Sequence, residues 1–173
     1  MLNLYVKMKY LLIILLSILG ISCGSFSYKF NDVSIDPALK TFKVVYIDNK
    51  ARYVNPQLTP LITDKLRQKI IAQTRLQPTQ GEAHIEISGT LTDYNISTSG
   101  VGGDGTQNTN RLTVGLNITI KNNLEPNKNT ESNITRTFDF ASSQTINQFE
   151  TARTDEIVKN VVDEIFNKLF SNW

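Results

Sequence analysis

The chain holds one cysteine, one histidine and one tryptophan among 173 residues. A lone Cys permits no internal disulfide. With a lone His beside it, it falls short of the soft ligands a structural zinc site needs. The net charge of +2 is far from the basic excess of a nucleic-acid-binding surface, so no nucleic-acid partner is expected. That small excess is also local. Residues 1–22 hold Lys7 and Lys9 and no acid, so the rest of the chain is charge-balanced. An apolar fraction of 40% is modest but well above that of a disordered chain. The length suits one domain with an appended segment.

One long apolar run is present, at 11–21, after Lys7 and Lys9. Spanning a bilayer takes about 20 residues, so this run reads as a secretory signal rather than an anchor. It ends in Leu19-Gly20-Ile21-Ser22-Cys23-Gly24. A small residue before a Cys, after an apolar run, resembles the bacterial lipobox, in which the cleaved chain begins with the Cys and carries acyl chains on it. Gly20 stands where that pattern favours Leu, and ordinary cleavage after a small residue is the alternative. Lipidation would consume a thiol that is otherwise a liability in an oxidising compartment, and more than one acyl chain gives stable anchoring. Residues 1–22 are therefore expected to be a lipoprotein signal and 23–173 a single domain. Gly24 is not the Asp that retains such proteins at the inner membrane. The expected address is the outer membrane, lipid-anchored and facing the periplasm.

Along the mature chain, Phe26, Tyr28 and Phe30 alternate with polar residues and predict a strand. Residues 41–47 predict a second. Leu58, Ile62, Leu66 and Ile70 recur at i+4 and predict a helix, with Thr59-Pro60 as N-cap and first helical residue. A strand over 84–98 loses phase between Leu91 and Tyr94, which places a bulge near Asp93. The cleanest alternation lies at 111–121: Leu112, Val114, Leu116, Ile118 and Ile120 on one face, Thr113, Gly115, Asn117 and Thr119 on the other. A strand at 130–140 follows, with Arg136 intruding on its apolar side. A helix over about 151–170 presents an unbroken apolar stripe and the i,i+4 pairs Asp155–Lys159 and Glu164–Lys168. The order ββαβββα predicts an α+β two-layer domain, a mostly antiparallel sheet of four to five strands covered on one face by two helices.

Enzyme signatures fail on context. Gly100-Val-Gly-Gly-Asp-Gly105 matches a dinucleotide fingerprint, but a strand rather than a helix follows it. His84 opens a strand out of phase with Ile85, which predicts a solvent-facing ring with no nucleophile assignable to it. No enzyme and no cofactor are expected. The informative feature is the outward face of 111–121, whose Thr113, Asn117 and Thr119 are uncharged, with Arg111 and Lys121 at its ends. Such residues meet a polar wall at low desolvation cost; the competing explanation is that Thr simply favours strands.

Several segments together resemble a family: Cys23-Gly-Ser-Phe-Ser-Tyr28, Lys43-Val-Val-Tyr46, Val54-Asn-Pro56 with its helix, Asn110-Arg-Leu-Thr-Val114, and the closing run from Glu164 to Trp173. They are similar to the LptE-like lipopolysaccharide-assembly lipoproteins of Bacteroidetes. The resemblance implies a domain that plugs and helps assemble an LptD-like outer-membrane barrel and assists insertion of lipopolysaccharide into the outer leaflet. Its partners would be that barrel, lipopolysaccharide and the membrane through the anchor. Arg111, Lys121 and Arg136 are the candidate lipopolysaccharide-binding residues, and Thr113, Asn117 and Thr119 the candidate barrel-contacting face. The rival is a periplasmic adaptor or glycan-binding lipoprotein without a barrel partner. If Cys23 is the acylation site, metabolic labelling with a clickable fatty acid will mark the protein, and Cys23→Ser will abolish the label; persistent label on the variant refutes the assignment.

Overall fold

The computed structural model describes residues 35–53, 55–99 and 109–170. Cys23, the expected strand at 26–30, the glycine run at 100–105 and Trp173 lie outside them. The described chain forms β1 (Thr41–Asn49), α1 (Leu58–Gln73), β2 (Gln77–Pro78), β3 (Ile85–Ser99), β4 (Thr109–Asn122), β5 (Thr130–Ala141) and α2 (Ile146–Phe170). The architecture is the expected one: a five-stranded sheet and two helices. The strand order is β2-β1-β3-β4-β5. β3, β4 and β5 form long antiparallel ladders, whereas β1 runs parallel to both β2 and β3. α1 supplies the crossover that a parallel β1–β3 pairing requires.

β4 shows why the fold has two unlike faces. Leu112, Val114, Leu116, Ile118 and Ile120 are buried and point at the helices. α1 contributes Leu58, Ile62, Leu66 and Ile70 to the same core, spaced one helical turn apart. α2 adds Ile157, Val161, Val162, Ile165 and Leu169. Full burial of such side chains is worth about 1.5–3 kcal/mol each, which makes helix docking on this one face the main source of stability.

Two bulges shape the strands. In β3 the register passes from Leu91↔Leu116 to Asp93↔Gly115, so Thr92 is the extra residue, where the phase slip places it. A Cβ on Gly115 would lie 2.8 Å from Asp93 Oδ2, so the bulge needs a glycine opposite it. In β1 the register passes from Val44↔Ile87 to Ile47↔Gly89. The displaced Ile47 amide donates instead to Thr63 Oγ1 of α1 at 3.4 Å, which keeps a buried donor paired.

Four local details differ from the sequence reading. α1 starts at Leu58 after Gln57, and Thr59 lies inside its first turn. The Thr59 hydroxyl bonds Tyr46 Oη at 3.1 Å, and Pro60 is tolerated because first-turn amides have no intrahelical acceptor. The stretch at 77–78, where no strand was expected, adds a short edge strand to β1. α2 begins at Ile146, five residues before the expected start at 151, on a capping box: Gln148 N donates to Thr145 Oγ1 at 3.3 Å, and Thr145 N donates to Gln148 Oε1 at 3.0 Å. On its wet side Lys159 bonds Asp163 at 2.8 Å and Glu164 takes Arg136, because partners from β5 and α1 compete with the expected helical neighbours.

Thr145→Ala is expected to cost about 1 kcal/mol through loss of the cap, and Leu66→Ala about 2–5 kcal/mol through the cavity it leaves. Urea unfolding checks both; equal effects would mean that the cap does more than close a helix end.

Candidate functional site

The sheet face turned away from the helices is built by alternation. Every β4 residue that does not point at the core points here, and register aligns its neighbours. Thr113 sits between Asn95 and Thr137, Asn117 between Thr90 and Asn133, and Thr119 between Ser88 and Glu131. The β4 stripe is uncharged between its ends, and its neighbours are mainly hydroxyls and amides, with Asp93 opposite Gly115 and Glu131 opposite Thr119 as acidic exceptions. Arg111 opposite Asp139 stands at one end and Lys121 opposite Glu86 at the other. No described helix covers this face. Among the described residues no helix is long and apolar enough to cross a membrane, and no group of three or more His, Cys, Asp or Glu side chains is placed to hold a metal ion.

The three basic candidates are not brought together. Arg111 makes a bidentate pair with Asp139, Nε to Oδ1 at 2.6 Å and Nη2 to Oδ2 at 2.9 Å. The hydrogen bond from Arg111 holds the Asp139 carboxyl below the usual carboxylate range. Lys121 is exposed at the far end of the same strand. Arg136 lies on the opposite side of the sheet, in register with Val114, and pairs with Glu164 of α2. Thr113, Asn117 and Thr119 do share the uncovered face and are half-buried in it. Asn117 Oδ1 is buried and makes no hydrogen bond.

His84 is half-buried rather than solvent-facing, because it fastens the strand ends. Its Nδ1 accepts from Lys40 N at 3.1 Å and its own amide donates to Thr41 Oγ1 at 3.0 Å. Its carbonyl accepts from Asn123 N at 2.9 Å. An imidazole with Nδ1 committed to a backbone amide serves the fold.

Two polar clusters lock the helices to the sheet and to each other. Tyr94, just past the β3 bulge, donates to Glu150 Oε1 of α2 at 2.5 Å and stacks on Tyr53 with ring centroids 5.6 Å apart. Burial, then the bond to Glu150 and its charge, hold the Tyr94 phenol far above its ordinary range. Lys69 of α1 reaches Asp163 of α2 at 2.6 Å while lying 5.1 Å from the centre of the Phe166 ring. Sequence reading missed both clusters, since their partners lie 56 and 94 residues apart.

These features define a small α+β domain with one sheet face covered by helices and the other polar, with no described helix over it. The sequence profile described as LptE, lipopolysaccharide-assembly, matches residues 39–169, well over half the chain. The protein belongs to that family, and its role lies in lipopolysaccharide assembly. Among solved structures it is similar to a minor lipoprotein from Acinetobacter baumannii, at 12% identity and TM-score 0.51 over 78% of this chain and 95% of that one. It is also similar to a hypothetical protein from Chlamydia trachomatis, at 6% identity and TM-score 0.49 over 78% and 99%. A third is rare lipoprotein B from Shewanella oneidensis, at 14% and 0.43 over 75% and 94%. The Acinetobacter likeness speaks for the fold alone. No curated protein matches.

Burial pushes the Asp163 carboxyl up, but the hydrogen bonds and charges of Lys159 and Lys69 outweigh it and leave it below its ordinary range. A carboxyl lowered in the folded state contributes stability fully above its unfolded value of about 3.9, and loses it as pH falls through the folded value. Thermal melts from neutral pH to about pH 2 should show an acid-side loss of Tm that is shallower in Asp163→Asn. Parallel curves would show that the inter-helix bridge adds nothing.

Proposed function

We propose that the protein is an outer-membrane lipoprotein, acylated at Cys23 and facing the periplasm, that lodges in an LptD-like barrel. There it would support barrel assembly and assist insertion of lipopolysaccharide into the outer leaflet. The observation that carries this reading is a sheet face with no described helix over it, whose β4 stripe from Thr113 to Thr119 is uncharged. A solvated face commonly carries Lys and Glu; a face meeting the polar lumen of a barrel gains from groups that exchange hydrogen bonds with a wall and leave no charge stranded. Thr113, Asn117 and Thr119 would lie against that wall. The reading involves no catalysis by this chain.

Lipopolysaccharide phosphates would meet local cations rather than bulk charge, since the mature chain is neutral overall. Lys121 is the first of the three to engage a phosphate, because Arg111 and Arg136 would have to exchange a carboxylate for it. The membrane anchor, the barrel and lipopolysaccharide are then the three partners.

Photo-crosslinking residues installed at 113, 117 and 119 should each give an adduct to one large membrane protein in cells, while the same residue at 68, on the helix layer, should not. Adducts from 68 alone, or failure of tagged protein to bring down any barrel in mild detergent, would refute the plug.

A further inference from the structure

The two bulges lie side by side, and together they hollow the polar face. The β1 bulge turns two consecutive apolar residues outward, Val45 at 39% and Tyr46 at 54% exposure. The β3 bulge turns Thr92 and Asp93 outward. Between them lies a depression of about 480 Å³, whose lining includes Tyr46, Asp48, Lys50, Thr90, Asn117 and Thr119. The Tyr46 ring is held rather than loose, because its hydroxyl bonds Thr59 Oγ1 of α1 at 3.1 Å. Asn117, which helps line the depression, carries the buried Oδ1 that has no hydrogen-bond donor. Leaving a buried acceptor unpaired is costly, so a ligand that brings a donor there binds against a reduced penalty.

We propose that this depression binds a sugar ring, the saccharide part of the protein's lipopolysaccharide cargo; the inference rests on the proposed handling of lipopolysaccharide and not on insertion into a barrel. The chemistry selects this class. A pyranose offers a face of polarised C–H groups that packs on an aromatic ring, whose face is electron-rich. It also offers a ring of hydroxyls that donate and accept at once. Tyr46 supplies the ring. Asp48 accepts from hydroxyls, Asn117 Oδ1 receives the missing donor, and Thr90 and Thr119 complete the polar wall. A concave site with one apolar platform and a few convergent polar groups is how small polar ligands are commonly held. A bare phosphate fits worse, since Asp48 repels it and Lys50 is the one cation among the described lining residues. An acyl chain fits worse still, because burying it would strand the amides and hydroxyls of the wall.

The test uses the full chain, purified in a detergent without a sugar head group. The probe is core oligosaccharide freed of lipid A by mild acid, followed by saturation-transfer NMR. Transfer to sugar ring protons is expected, with affinity on the order of 1 mM. Tyr46→Ala and Asn117→Leu should each weaken it about tenfold, whereas Thr137→Ala, on the same face but on β5 outside the depression, should leave it unchanged. Tyr46→Phe keeps the platform and loses the tether to Thr59, so a loss smaller than that of Tyr46→Ala is expected. Unchanged circular dichroism melts keep the variants comparable. Absence of transfer in the wild type, or transfer insensitive to both Tyr46→Ala and Asn117→Leu, overturns the proposal. So does a Tyr46→Ala variant that keeps saccharide binding but no longer brings down a barrel, because the depression is then a protein contact. Saccharide binding that depends on Tyr46 in a protein that captures no barrel supports this inference while sinking the plug.

Discussion

The extra residue in β3 is the constraint on which the rest depends. Side chains along a strand alternate with a period of two, so a strand that lost step with its partner would turn every later residue to the wrong face. Up to Leu91 the buried set of β3 is Ile85, Ile87 and Leu91; beyond it the next core residue is Tyr94, an odd number of positions on. Thr92 absorbs that offset. Because it does, β4 can keep an unbroken alternation from Leu112 to Ile120 against a partner that does not. Gly115 is the cost at the meeting point, since Asp93 occupies the volume a side chain would need. Without the bulge the Tyr94 ring would face outward, its bond to Glu150 would be lost, and α2 would lose its polar attachment to the sheet.

Given two faces in phase, the energetic division is sharp. Apolar burial on one side docks α1 and α2, and several polar groups buried with them find partners, although Asn122 Nδ2 does not. Thr63 receives the Ile47 amide, Glu150 the Tyr94 hydroxyl, and Asp163 two lysines. The other side buries little and is held by the ladders alone. A face that contributes little to folding is free to be shaped by what it touches. Its composition can follow a partner, and its bulges can open a hollow with little penalty to the core.

How much of this was legible beforehand follows from the range of each interaction. β4 was readable because its alternation is local and complete, and α1 and the body of α2 because their stripes repeat every turn. The β3 bulge was readable because Leu91 and Tyr94 disagree in phase within a few residues. The β1 bulge was not: Val44-Val45-Tyr46-Ile47 is apolar throughout, and a continuous apolar run carries no phase to break. The start of α2 was missed because its first turns are mostly polar, with only Ile146 and Phe149 reaching the core, although Thr145 and Gln148 stand at capping-box spacing. Thr59 looked like a cap by residue type, but its hydroxyl belongs to Tyr46, a partner that sequence spacing cannot supply. The candidate basic residues scattered for the same reason. Arg111 and Asp139 pair only through the β4–β5 register, and Arg136 reaches Glu164 only because α2 returns over that strand.

This pairing bears on the proposed handling of an anionic glycolipid by a chain whose net charge is only +2. Guanidiniums already bonded to carboxylates are poor bulk attractants, because a phosphate must first displace the carboxylate and the displaced acid then repels it. Both Arg111 and Arg136 are in that position. Long-range attraction is therefore weak, and under the proposed reading selectivity would come from contact geometry: a hydroxyl-lined surface, an orphan amide oxygen and one tethered aromatic ring. A surface of this kind holds its ligand briefly and gives no deep electrostatic trap. That would suit the proposed role, in which the cargo has to move on rather than stay.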